Sequence, residues 1–143
     1  MEKFNTKNLV AKHAIIFSSS DSEISIHIFM EPFIYQDEIV SPIICLDDID
    51  LPSTKLCLLI NKFLTFTQGD LSGSIYLGGA HHPVDVTGLS FFLSRQNKLN
   101  VLVKGIYDFE YEGLDGVVNE AFVLNTLRKR PLNPTFSNSL IPR

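Results

Sequence analysis

Tryptophan is absent from this chain, and cysteine occurs only twice, at Cys45 and Cys57. Two cysteines could form at most one bridge. Both lie inside apolar runs, IICLDD and KLCLLI, where a free thiol behaves as a small hydrophobe, so both are expected to be reduced and buried. No stretch approaches the roughly 20 consecutive apolar residues of a membrane helix. The apolar segment from Leu9 to Phe17 is interrupted by Lys12 and His13 and lacks a small-residue cleavage site, which makes it a poor signal peptide. No membrane association and a cytoplasmic location are therefore expected. Cations are outnumbered: 12 Lys and Arg face 16 Asp and Glu, for a formal charge of −4. This balance argues against nucleic acid as the partner, because affinity for phosphate backbones comes from clustered Lys and Arg, and the run Arg128-Lys129-Arg130 is short and isolated. An acidic protein is better matched to a basic partner.

Catalytic frameworks are missing as well. There is no Cys-x-x-Cys and no His-Glu-x-x-His, and no Gly-rich loop is followed by Lys-Ser/Thr. Ser72-Gly73-Ser74 and Thr87-Gly88-Leu89-Ser90 place hydroxyls beside glycines, but neither forms the Gly-x-Ser-x-Gly elbow that exposes a nucleophilic serine. The stretch Gly78-Gly79-Ala80-His81-His82-Pro83-Val84-Asp85 holds half of the chain's histidines. Adjacent residues in an extended segment point to opposite faces, so the two imidazoles do not converge on one metal. The glycines before and the proline after mark this stretch as a strand-to-strand connection. The alternative is a small metal-assisted hydrolase using His81, His82 and Asp85. The expectation is a non-enzyme with no metal and no cofactor.

What is present is a chain of 143 residues, 45% hydrophobic, with 11 Phe and 4 Tyr, suited to one domain over residues 1–143. Residues 13–17, HAIIF, read as a strand ended by the Ser/Asp run at 18–22. In Glu23–Met30, Ile24, Ile26, Ile28 and Met30 share one face with a period of two, and the two segments pair as a hairpin. A third strand is expected over Glu38–Cys45, with Pro42 favouring an edge or a bulge. Leu56, Leu59, Ile60, Phe63 and Leu64 follow the spacing of one helical face, with Ser53 or Thr54 as cap, and predict the principal helix. Asp48 and Asp50 would then sit ahead of its positive end. From Ser72 the pattern predicts antiparallel strands at Ser74–Leu77, Val84–Arg95 and Lys98–Glu110, with Gln96-Asn97 as a tight connection. Leu99, Val101, Val103, Tyr107 and Phe109 share a face in the last of these. Val117–Leu127 fits both strand and helix and is read as a further strand of the meander. The tail over 131–143 reads as a flexible loop. The expected class is α+β: a twisted antiparallel meander with one principal helix packed on it.

Two acidic groups stand out. If Tyr107-Asp108-Phe109-Glu110-Tyr111-Glu112 is a strand, Asp108, Glu110 and Glu112 form a row on one face, with Tyr107 or Tyr111 as an aromatic anchor on the other. A second group comprises Glu31, Asp37 and Glu38 with Asp47, Asp48 and Asp50. Either is a solvated face or a surface that speeds association with a cationic partner.

Small size, acidity, and the run from Phe63 through GDLSGSIYLGG, VTGLSFFLS and KLNVLVKGIYDFEYEG resemble the immunity proteins that bacteria pair with secreted or contact-delivered toxins. The resemblance is one of general character, covers the second half of the chain and carries no diagnostic motif. It implies stoichiometric binding to a cognate toxin domain, often a basic nuclease, with carboxylates covering the toxin's substrate site. Tyr107, Asp108, Glu110, Tyr111 and Glu112, or alternatively Asp47, Asp48 and Asp50, would then form the contact. A third reading is a structural subunit that self-associates through an exposed sheet edge.

Overall fold

Every second residue of Glu23–Met30 is apolar, and this period of two, not a helical one, sets the architecture. A computed structural model describes residues 5–67, 69–77, 79–110 and 118–129. Within them the chain forms ten strands: β1 (Ala11–Ser18), β2 (Glu23–Met30), β3 (Phe33–Tyr35), β4 (Glu38–Val40), β5 (Ile43–Asp50), β6 (Phe63–Thr65), β7 (Ser72–Leu77), β8 (Ala80–Leu93), β9 (Leu99–Tyr107) and β10 (Glu120–Leu127). Eight of them make one antiparallel sheet in the order β1-β2-β5-β7-β8-β9-β10, with β6 on β8; β3 and β4 form a separate two-stranded ribbon. The sheet curls until its outer strands meet, where the Lys129 N–H donates to the Ala14 carbonyl at 2.7 Å and Ala14 bridges Arg128 in parallel. The result is a half-barrel around one core.

The core is assembled by cross-strand rows. Ala14, Ile28, Ile44, Ile75 and His82 are successive partners across five strands, and all face inward. Ile16, Ile26 and Leu46 form the next row, each fully buried. Each isoleucine so buried contributes about 1.5–3 kcal/mol relative to exposure. Leu99, Val101, Val103, Tyr107 and Phe109, which share a face in the sequence, are all buried. The hairpin of the first two strands and the strand within Val117–Leu127 also form as expected.

The principal helix does not form, and the α+β expectation is corrected to an all-β fold. Among the described residues the only helical turns are short 3-10 segments at Thr6–Asn8 and Leu56–Leu58. Leu56 and Leu59 are buried about a single tight turn, but Ile60 and Leu64 are only half-buried and Phe63 is exposed, so the five residues do not form one buried face. Asn61 then enters the left-handed region (φ 65°), and Phe63–Thr65 continue as β6. A segment of this length is marginal as a free helix, whereas the inner half of β8 requires backbone partners on that side. Strand β8 meets this requirement by holding two neighbours end to end: β7 along Ala80–Asp85 and β6 along Gly88–Ser90. The third expected strand is also corrected. The chain breaks at Ser41-Pro42, leaving β4 on one side and β5 on the other. The expected flexible tail over 131–143 lies outside the described residues.

Candidate functional site

The run Asp47-Asp48-Ile49-Asp50 is not the approach to a helix; it is the second half of β5. Strict alternation would bury one of the adjacent carboxylates Asp47 and Asp48. A bulge prevents this. Ile26 pairs with Leu46 and Ile24 with Ile49, so that Ser25 alone faces Asp47 and Asp48. Asp48 adopts φ 56°, a conformation that aspartate tolerates better than most residues, and its N–H donates to Ser25 Oγ at 3.1 Å. The alternation is thereby reset: Leu46 and Ile49 point inward, and Asp47, Asp48 and Asp50 are all exposed. Glu23 lies directly across from Asp50, a like-charge pair that costs some stability unless it is solvated or met by a cation. Asp47 accepts from His27 Nε2 at 2.9 Å. Among the described residues no lysine or arginine bonds to this group.

The charge ledger shows why. Residues 13–54 contain eight acidic residues and no Lys or Arg, a formal −8, while the rest of the chain carries 8 acidic and 12 basic residues, a formal +4. The whole net negative charge therefore resides in β1 to β5 and the turn after them. This blank in Lys and Arg was legible in the sequence and marks the acidic face better than the carboxylates alone do. The structure does not unite the second acidic group, however. Glu31, Asp37 and Glu38 belong to the β3–β4 ribbon beyond Met30, at the opposite end of β2 from Glu23 and the bulge.

The row at 107–112 fares differently. Strand β9 ends at Tyr107, so Asp108 and Glu110 are not successive residues of one strand face. Tyr107 is 2% exposed and stacks on Phe122 at 4.2 Å and on Phe109 at 5.3 Å, so it is a core residue and not a surface anchor. Burial pushes its phenol pKa up, with the Glu120 carboxylate adding to the shift. The half-buried Asp108 donates its N–H to the Pro83 carbonyl. Glu110 is tied into a reciprocal clasp: its N–H donates to Asn119 Oδ1 at 3.0 Å, and its own Oε2 accepts from the Asn119 N–H at 3.1 Å. Tyr111 and Glu112 lie outside the described residues.

The histidine pair is corrected in place but not in geometry. His81 and His82 belong to β8 itself, not to a connection, and they point to opposite faces, His81 exposed and His82 buried edge-on to Phe109 at 5.5 Å. Asp85 is occupied elsewhere, accepting the Gly69 N–H at 3.0 Å and so holding the loop that precedes β7. The three residues of the hydrolase alternative do not converge. Among the described residues no group of three or more His, Cys, Asp or Glu is placed to hold a metal ion. Both cysteines are free, but the expectation of burial is corrected: Cys57 is exposed and Cys45 half-buried. Cys45 lies across from His27 on the outer face. Burial raises its thiol pKa and the Asp47 carboxylate raises it further, which disfavours the nucleophilic thiolate.

Three of the four histidines sit on this outer face. His13 stacks on Phe29 at 4.9 Å, and Phe17 meets the His27 ring edge-on at 5.1 Å. Burial lowers the His13 pKa below its ordinary 6.5, Lys129 and Lys12 lower it further, and Glu31 opposes them. The fold thus prefers neutral His13. Its contribution is intact above the unfolded value near 6.5 and declines as the pH falls from there through the lowered folded value. His13→Gln should flatten the pH dependence of the melting temperature as the pH falls below about 6.5; an unchanged slope would remove His13 as its source.

No helix among the described residues is long and apolar enough to cross a membrane. Comparison of the chain with family models, with curated proteins and with solved structures finds no significant match to any of them, so its reading rests on its own residues.

Proposed function

We propose that this chain is a non-enzymatic, cytoplasmic immunity protein that binds and neutralises a cognate basic toxin domain through the acidic face on β2 and β5. The observation that carries the reading is the β5 bulge opposite Ser25, which leaves Asp47, Asp48 and Asp50 all exposed with no lysine or arginine bonded to them among the described residues. Concentrated negative charge of this kind weakens a fold by self-repulsion. It is useful where it steers a cationic surface into register and raises the association rate, an effect that salt screens over about 10 Å. Such a face fits a domain whose own substrate is an anion such as nucleic acid, since carboxylates then occupy the place of phosphates.

The test begins with the gene immediately upstream of this one. Its product, expressed alone, should arrest growth, and co-expression of this chain should restore it. Asp47→Lys with Asp50→Lys should weaken the purified complex by more than about tenfold and abolish its salt dependence. Both positions are exposed strand residues, so the melting temperature should hold; Asp48 is left alone because of its left-handed backbone. Full affinity in the double variant eliminates this face. An upstream product that is harmless, or that does not bind, overturns the immunity reading.

A further inference from the structure

Among the described residues, the ribbon formed by β3 and β4 pairs with no other strand. Its two-residue turn, Gln36-Asp37, has positive φ at both positions (51° and 63°), the geometry of a tight hairpin that matches strand twist. Phe33 and Tyr35 pack against the core and Val40 is buried, which fixes the ribbon's inner face. Alternation then sends Ile34 and Ile39 outward as direct partners, 66% and 77% exposed. An outward position on a solvated ribbon ordinarily carries a polar residue. Among the described residues no other cross-strand pair consists of two exposed large hydrophobics. Glu31, Asp37 and Glu38 are exposed on and beside the ribbon, and no Lys or Arg occurs in the sequence between Lys12 and Lys55; the nearest cations are Lys12 and Lys129, which together with Glu31 act on His13.

We infer that this ribbon is a docking element whose isoleucine pair enters an apolar pocket rimmed by lysine and arginine on a partner protein. Charge complementarity selects that occupant. A second copy of the ribbon would bring Glu31, Asp37 and Glu38 against their own duplicates, and an anionic bilayer would be repelled in the same way. The basic character of the partner rests on the reading proposed above, but the surface is a different one, at the other end of β2.

The probe is an amphipathic helical peptide of lysine and leucine, with a glutamate/leucine peptide of the same pattern and vesicles of anionic phospholipid as counter-probes, titrated into the full isotope-labelled chain. The expected result is amide shift changes centred on residues 33–40 for the basic peptide only. Ile34→Thr with Ile39→Thr keeps β-branching and every charge, and should weaken that binding by on the order of tenfold or more with the melting temperature unchanged. Shift changes centred on Asp47–Asp50 with the threonine variant binding normally would overturn the inference while leaving the acidic-face reading intact. Binding of the glutamate peptide or the vesicles, no binding of any probe, or a concentration-dependent dimer lost in the threonine variant would overturn it equally.

Discussion

Gly105→Ala is expected to destabilise the protein by about 3 kcal/mol, at the upper end of the range for forcing extra atoms into a packed interior. For a chain of this size that loss corresponds to a fall in melting temperature on the order of 10 °C. The cause is close approach. A Cβ at Gly105 would collide with the backbone carbonyl oxygen of Asp85 and would lie 2.8 Å from Phe122 Cζ. Phe122 is the direct cross-strand partner of Gly105, and its ring stacks on Tyr107 at 4.2 Å, so it is held in place and cannot swing aside. The carbonyl belongs to the β8 backbone, where the register shifts between Val86 and Gly88. Relief therefore requires moving a strand, not a side chain. Gly79→Ala is the control, because a Cβ there would meet nothing within 4 Å. Thermal unfolding of the two variants side by side decides the matter: equal melting temperatures would mean that the aromatic ring does not lie across the glycine.

The requirement at Gly105 illustrates what the sequence discloses and what it conceals. Alternation in Glu23–Met30 and in Leu99–Tyr107 is a local property, set by a period of two that only a strand satisfies, and it predicts the strands and which residues share a face. The failure at Leu56–Leu64 is instructive because its apolar spacing suits both a helix and a 3-10 turn followed by a strand. The vacant side of β8 decides between them, and that vacancy is created by residues some 25 positions later. The candidate face was legible in part. Asp47, Asp48 and Asp50 were identifiable as charges, but the helix reading assigned them to its dipole. That they share one face depends on a bulge whose far side is Ser25, a contact over 23 residues. The row at 107–112 misled for the opposite reason. Its alternation implied a strand with a tyrosine face free for a partner, whereas the curl of the sheet turns Tyr107 and Phe109 into the core.

Phe109→Ala separates these two meanings of the same segment. Phe109 is fully buried, 5.3 Å from the ring of Tyr107 and 5.5 Å from that of His82, although it lies beyond the end of β9. Truncating a phenylalanine in such a setting costs about 3–5 kcal/mol, a large fraction of the 5–15 kcal/mol on the order of which domains are stable. The position also holds the chain between two local anchors, the Asp108 N–H on the Pro83 carbonyl and the Glu110–Asn119 clasp. Loss of the ring should therefore loosen the end of β9 together with the start of β10, which denaturant unfolding and amide exchange at Glu120–Val123 would register. Glu110→Ala breaks only an exposed clasp and should cost no more than about 1 kcal/mol. If Phe109→Ala leaves the unfolding midpoint near that of the parent chain and instead weakens partner binding, residues 107–110 are an interface after all, and the core drawn through Tyr107 and Phe109 is misplaced.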